Sequence, residues 1–172
     1  AIILFGLVCI FTQVPIWYDG LLTSEYYRLI ISGCLGMGLA DLLFLYSLNK
    51  IGANRIAIVN TLEPFAVLLM SFIVLKEAMP NIIQSVGFLI ISGAVLSIAL
   101  EKSPKKDIDS KSYYQGILLM VLAISISSFG IVLMKPVLFK LGQVSNPLYS
   151  PYQLLLWGSM LRLLPGVLIT VV

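Results

Sequence analysis

What most limits the fold of this chain is a succession of long apolar stretches broken only by short polar punctuation: Leu29–Leu48, Arg55–Leu75, Ile82–Leu100, Tyr113–Phe139 and Tyr152–Val172. A helix needs about 20 predominantly apolar residues to cross the hydrocarbon core of a bilayer, and these runs have that length. Ordinary soluble domains are about 45–50% apolar and about 25% charged. Here 59% of 172 residues are hydrophobic and 11% charged, so the surplus has to face lipid. A spanning segment must satisfy its own backbone, as helices and closed barrels do. Barrel strands alternate in polarity over segments of about 10 residues, and nothing in this chain alternates in that way. The expected fold class is all-α, a polytopic transmembrane helical bundle.

The polar punctuation sets the organisation. Ala1–Trp17 is slightly short for a span and ends in Trp17 and Tyr18, residue types that favour the membrane–water interface, so it reads as the tail of a helix. Asp19–Arg28 separates it from Leu29–Leu48, which stops at Asn49-Lys50-Ile51-Gly52. The next run, to Leu75, is interrupted by Asn60-Thr61 and Glu63-Pro64 and stops at Lys76-Glu77-Ala78-Met79-Pro80; the tight turns make these helices antiparallel neighbours. Ile82–Leu100 carries no charge and sets Gly93 four residues before Ser97, a spacing that lets helix backbones approach. Glu101–Ser112 is the longest hydrophilic segment and reads as a solvated linker. Both ends fall in apolar runs without an initiator methionine, which predicts a fragment of a longer chain.

Several functions are excluded early. A net charge of +3 is too small and dispersed for a nucleic-acid footprint. Cys9 and Cys34 lie in apolar runs, where a thiol is a small packing residue. There is no histidine for a zinc site or a catalytic triad, and no glycine-rich phosphate loop, so an enzyme is not expected and no cofactor is called for. Tyr18-Asp19 and Gly36-Met37-Gly38-Leu39-Ala40-Asp41 superficially resemble intramembrane aspartyl protease motifs. The match fails because Asp41 comes two residues too late and Asp19 falls in an interfacial loop.

The informative residues are the polar ones within the apolar runs. A charge near the bilayer centre costs at least about 2.5–3.5 kcal/mol on insertion scales and therefore tends to face protein or a wet cavity. Asp41, Glu63, Lys135 and Arg162 are the candidates. Pro64 follows Glu63 and cannot donate to the carbonyl of Asn60, which predicts a helix break with Asn60 and Glu63 on one face. Interrupted helices around a midplane cavity are how many transporters build a site; the plainer alternative is that Glu63 pairs or caps a helix. Asp41 lies beside a strip of small residues, Ser32, Gly36 and Ala40, and either serves substrate or protons or binds a neighbouring helix. Ser125 and Ser128 share a face and form either a polar pore wall or ordinary packing. Lys135 is placed to snorkel, and Arg162 cannot be assigned a role.

In order, Asn49-Lys50-Ile51-Gly52-Ala53-Asn54, Leu62-Glu63-Pro64-Phe65, Leu75-Lys76-Glu77, and Gln84 and Gly87 before Gly93 resemble the EamA repeat of the drug/metabolite transporter superfamily. Glu63-Pro64 and Glu77 match the family's pattern, and Lys76 replaces its usual glycine. The resemblance is strongest over Leu29–Leu100. It implies a ten-helix protein of two inverted five-helix repeats around a central path, of which this chain would hold helices two to seven. Residues 1–100 would then be the first repeat without its first helix, 101–112 the linker, and 113–172 a truncated start of the second repeat.

The function implied is a secondary transporter, a permease or exporter of small metabolites or drugs in the inner or plasma membrane. Its partners would be the lipid bilayer, a small-molecule substrate and, in a proton-coupled version, protons carried by Glu63 or Asp41. Asn60, Glu63, Asp41 and Ser128 would line the pathway at the Pro64 break. The alternative is a non-transporting membrane sensor or assembly protein whose buried charges are structural. Lys and Arg number six on the linker side against four on the other. That bias favours a cytoplasmic linker, whereas the family topology implies an external one, and the family topology is preferred.

Overall fold

The computed structural model describes residues 6, 10, 17–77, 81–101, 110–143 and 149–171. Among these, every regular element is helical. We label them α1 (Thr23–Ile51), α2 (Ala53–Asn60), α3 (Glu63–Leu75), α4 (Ile82–Glu101), α5 (Ser110–Gln143) and α6 (Pro151–Val171). Among the described residues, four helical stretches are long and apolar enough to cross a membrane: Thr23–Ile51, Ala53–Leu75, Ser112–Gln143 and Pro151–Thr170. The chain is an all-α, multi-pass membrane protein. Of the regions discussed above, most of the first apolar run including Cys9, linker residues 102–109, residues 78–80 and residues 144–148 lie outside the described residues.

The described residues form two compact units, one combining residues up to Leu39 with those from Phe129 onward, the other comprising Ala40–Ser128. In the first unit, the N-terminal part of α1, the C-terminal part of α5 and α6 close around Tyr18, Leu21, Tyr26, Leu29, Val137, Leu141, Leu154 and Trp157. α1 starts where the carboxylate of Glu25 accepts the backbone N–H of Leu22 at 2.7 Å, satisfying a donor that the first helical turn leaves unpaired. Trp17 stacks on Tyr26 at 4.1 Å, and the Tyr26 hydroxyl both accepts from Tyr18 N (2.6 Å) and donates to Tyr18 O (3.0 Å).

Close approach in this unit depends on residues without bulk. Ser32 donates to the carbonyl of Gly130 at 2.5 Å, and a Cβ on Gly130 would lie 3.0 Å from the Gly36 backbone. Gly33 of α1 faces the Arg162 carbonyl of α6, and Gly38 faces Ile169. Cys34–Leu39 adopts a π-helical turn, and the two glycines at Gly36 and Gly38 lie within it. Such insertions recur where a helix is locally deformed for packing or function. Cys34 is half-buried and carries a free thiol.

The second unit packs Ile51, Ile56, Met120 and Ile124 with Phe44, Leu48, Val59, Ala66, Tyr113 and Ile117. Here α1 hands over to α2 through the single residue Gly52 at φ 82°, a conformation that costs glycine no Cβ clash. α2 packs on both α1 and α4. Ser47 donates to the Gly116 carbonyl at 2.7 Å, Lys50 to Gln115 Oε1 at 2.6 Å, and the Arg55 guanidinium lies 5.2 Å from the Tyr113 ring centre. Lys76 ends α3 in the left-handed region, φ 53° and ψ 34°. This is the position where the resemblance sets a glycine, and the backbone conformation is the physical reason for one. At Gly93, by contrast, nothing approaches within 4 Å of where a Cβ would stand, so among the described residues the Gly93–Ser97 spacing is not used for close helix packing.

Candidate functional site

The site grows out of the interruption between α2 and α3. α2 ends at Asn60, where Thr61 and Leu62 turn the chain with bonds three residues back, Thr61 N to Ile58 O at 3.3 Å and Leu62 N to Val59 O at 3.0 Å. The Thr61 hydroxyl also donates to Ile58 O at 2.7 Å. α3 then begins at Glu63, with Pro64 in its first turn. A proline there loses nothing, since first-turn N–H groups have no intrahelical acceptor. The cost falls on the Asn60 carbonyl, which receives no bond from the nitrogen four residues on.

Asn60 and Glu63 line a cavity of about 220 Å³ together with Ala40, Asp41 and Phe44 of α1 and Met120, Ala123, Ile124 and Ser127 of α5. All of these belong to the second unit. The polar groups are two carboxylates, an amide and a hydroxyl, set against an apolar wall, and no basic side chain is among the lining residues. Ser127 donates to Glu63 Oε1 at 3.0 Å, a bond that joins α5 to the start of α3. Glu63 is half-buried, whereas Asp41 and Asn60 are exposed. The volume lies below the roughly 300–1,000 Å³ of pockets for drug-sized ligands.

Three of the residues selected from the sequence, Asp41, Asn60 and Glu63, are thus brought together. Ser128 is not in the cavity wall: it is fully buried, and its hydroxyl has no hydrogen-bond partner among the described residues. One residue along a helix is a turn of about 100°, and it is Ser127 that faces Glu63. The spacing of Met120, Ala123, Ile124 and Ser127 by three, one and three residues marks one face of α5. Ser128, four residues after Ile124, continues the same spacing, so the sequence offered no signal for choosing Ser127 over its neighbour. Lys135 is exposed and lies elsewhere on α5. Arg162 is 6% exposed in the first unit, where its Nη1 lies 3.4 Å from Met134 Sδ.

Residues 1–100, more than half of the chain, match the EamA-like transporter family. No curated protein and no solved structure matches the chain. With four helices fit to span a bilayer and a family match over its N-terminal 100 residues, the chain belongs to the EamA-like transporter family and is a membrane protein of transporter type.

Proposed function

We propose that this protein is a secondary transporter that moves small metabolites through the path bordered by Asp41, Asn60 and Glu63. The reading rests above all on the cavity itself. It puts carboxylate, amide and hydroxyl groups among helices long enough to cross a membrane, beside a break in one of them. Groups of this kind are expensive at membrane depth and are kept where they bind permeants, relay protons or join helices. At about 220 Å³ the cavity is smaller than sites for drug-sized ligands, which favours a smaller solute. Asp41 and Glu63 are the groups through which protons would be coupled. Transport would follow alternating access, with residues 1–100 and 113–172 belonging to two repeats joined by the 101–112 linker, in an inner or plasma membrane.

The test is uptake and efflux of a panel of labelled amino acids and nucleosides by vesicles carrying the full-length protein, with Glu63→Gln and Asp41→Asn at equal membrane abundance. Transport of at least one compound, lost in Glu63→Gln, is the expected result. Transport unchanged in Glu63→Gln removes Glu63 from the path, and transport of nothing in the panel favours a scaffold role for the buried charges. Imposing a pH gradient in the same vesicles separates proton coupling from exchange or facilitated diffusion.

A further inference from the structure

We propose that Ser127 is a positioning residue for Glu63, holding its carboxylate in the orientation that meets the permeant. The inference rests on the transport reading above and adds to it a residue that neither the sequence reading nor the family match assigns.

A helical serine has a ready acceptor in the carbonyl four residues back, and Ser97, Ser125 and Ser159 each take it, donating to Gly93, Val121 and Leu155 at 2.8 Å. Ser32 and Ser47 instead reach another helix, but both donate to glycine carbonyls at points of close backbone approach, which accounts for them as packing. Ser127 does neither. Its hydroxyl passes over its own helix and donates to a side-chain carboxylate 64 residues away, at the wall of the cavity.

A carboxylate on the first residue of a helix turns about its own torsions, and the terminal one is broad rather than three-fold. One donor on Oε1 restrains that oxygen and narrows the range of orientations the group takes. The half-buried setting of Glu63 limits competition from water for this bond. Pre-setting one partner reduces the ordering that binding has to supply, so the loss of Ser127 weakens binding before it slows the transport step. A serine that served only to join α5 to α3 would instead show its loss in abundance and thermal stability.

The experiment measures concentration dependence of transport for the best-transported compound of the amino acid and nucleoside panel. It compares the full-length protein with Ser127→Ala, Ser127→Thr, Glu63→Gln and the Ser127→Ala/Glu63→Gln double variant. The expected result is a KM raised about five- to tenfold in Ser127→Ala, with maximal rate within about twofold, and a KM restored by Ser127→Thr, which keeps the hydroxyl. In the Glu63→Gln background, where transport is expected to be lost, any residual rate should be unchanged by the Ser127 substitution, because the two residues act as one unit. If Glu63→Gln abolishes transport while Ser127→Ala leaves KM unchanged, this inference falls and the transport reading stands. If Glu63→Gln transports like the unsubstituted protein, the reading of the cavity falls with it. A Ser127→Ala defect confined to abundance, with normal KM in the protein that reaches the membrane, assigns the bond to packing and overturns the proposal. The carboxylate stretching band removed by Glu63→Gln gives a readout independent of any permeant: it should shift in Ser127→Ala and return in Ser127→Thr.

Discussion

Gly33→Ala tests whether the first unit is held by backbone contact between α1 and α6. A Cβ at residue 33 would meet the Arg162 carbonyl oxygen in collision, with Pro165 Cγ at 2.8 Å and the Arg162 carbonyl carbon at 3.1 Å. Restoring ordinary separations of about 3.5–4.0 Å between Pro165 and the new methyl requires α1 and α6 to part by about 0.7–1.2 Å. A gap of about 0.5–1 Å forfeits a quarter to a half of each contact's dispersion energy along the seam, including those of Gly166, which faces Met37 and the Gly33 carbonyl. Overpacking of this kind costs about 1–3 kcal/mol. Gly142→Ala is the matched control, since its Cβ would find only Leu155 methyl groups, at 3.7 and 3.8 Å. Unfolding in mixed micelles can be followed by the emission of Trp157, fully buried in the same core, after Trp17→Phe removes the chain's other tryptophan. The midpoint should fall for Gly33→Ala and stay or rise slightly for Gly142→Ala. Equal midpoints for the two variants would refute the argument that the α1–α6 seam depends on a missing Cβ.

Other substitutions separate conformation, capping and charge. Lys76→Gly should stabilise the protein by about 0.5–1 kcal/mol, because Lys76 holds a left-handed conformation that glycine adopts without strain; a thermal-stability assay in detergent showing a loss would contradict this. Pro64→Ala should change stability by less than about 1 kcal/mol, since a first-turn proline withdraws no intrahelical bond, and a large loss would show that the break depends on the ring. Ser47→Ala removes the hydroxyl bond to the Gly116 carbonyl, which keeps its intrahelical donor, and should cost about 0.5–1.5 kcal/mol, measured as a lower unfolding midpoint. Lys140→Gln removes the 2.9 Å pair with Glu25, whose partners are 44% and 15% exposed, and should cost under about 1 kcal/mol and less in high salt.

The sequence made the spans legible because lipid imposes a length of about 20 apolar residues on each, and the helices from Thr23, Ala53, Ser112 and Pro151 fall on those runs. The interruption near Pro64 was equally legible, because proline is tolerated in a first turn and not in a helix interior, whatever surrounds it. What depends on partners was not. Small residues mark where backbones can approach, not where a partner stands: Gly33, Gly130 and Gly166 meet other helices, while among the described residues nothing comes within 4 Å of a Cβ at Gly93. The π-helical turn at Cys34–Leu39 has no signature distinct from an α-helical run of the same composition. Ser127 and Ser128 differ by one step of helix phase, and only the tertiary placement of α5 decides which one meets Glu63. The buried position of Arg162 likewise follows from packing in the first unit rather than from its neighbours in sequence.

The central claim, that the cavity of Asp41, Asn60 and Glu63 belongs to a transport path, is tested most directly by its access to water. In a cysteine-free background with Cys9 and Cys34 replaced by alanine, Asn60→Cys in the cavity wall is compared with Leu69→Cys, an exposed apolar position on α3. Both are treated in membranes with a charged methanethiosulfonate that does not cross lipid. The account predicts that Asn60→Cys is modified and that transport falls in proportion, while Leu69→Cys is not modified. A cysteine at Asn60 that stays unmodified during transport would contradict it.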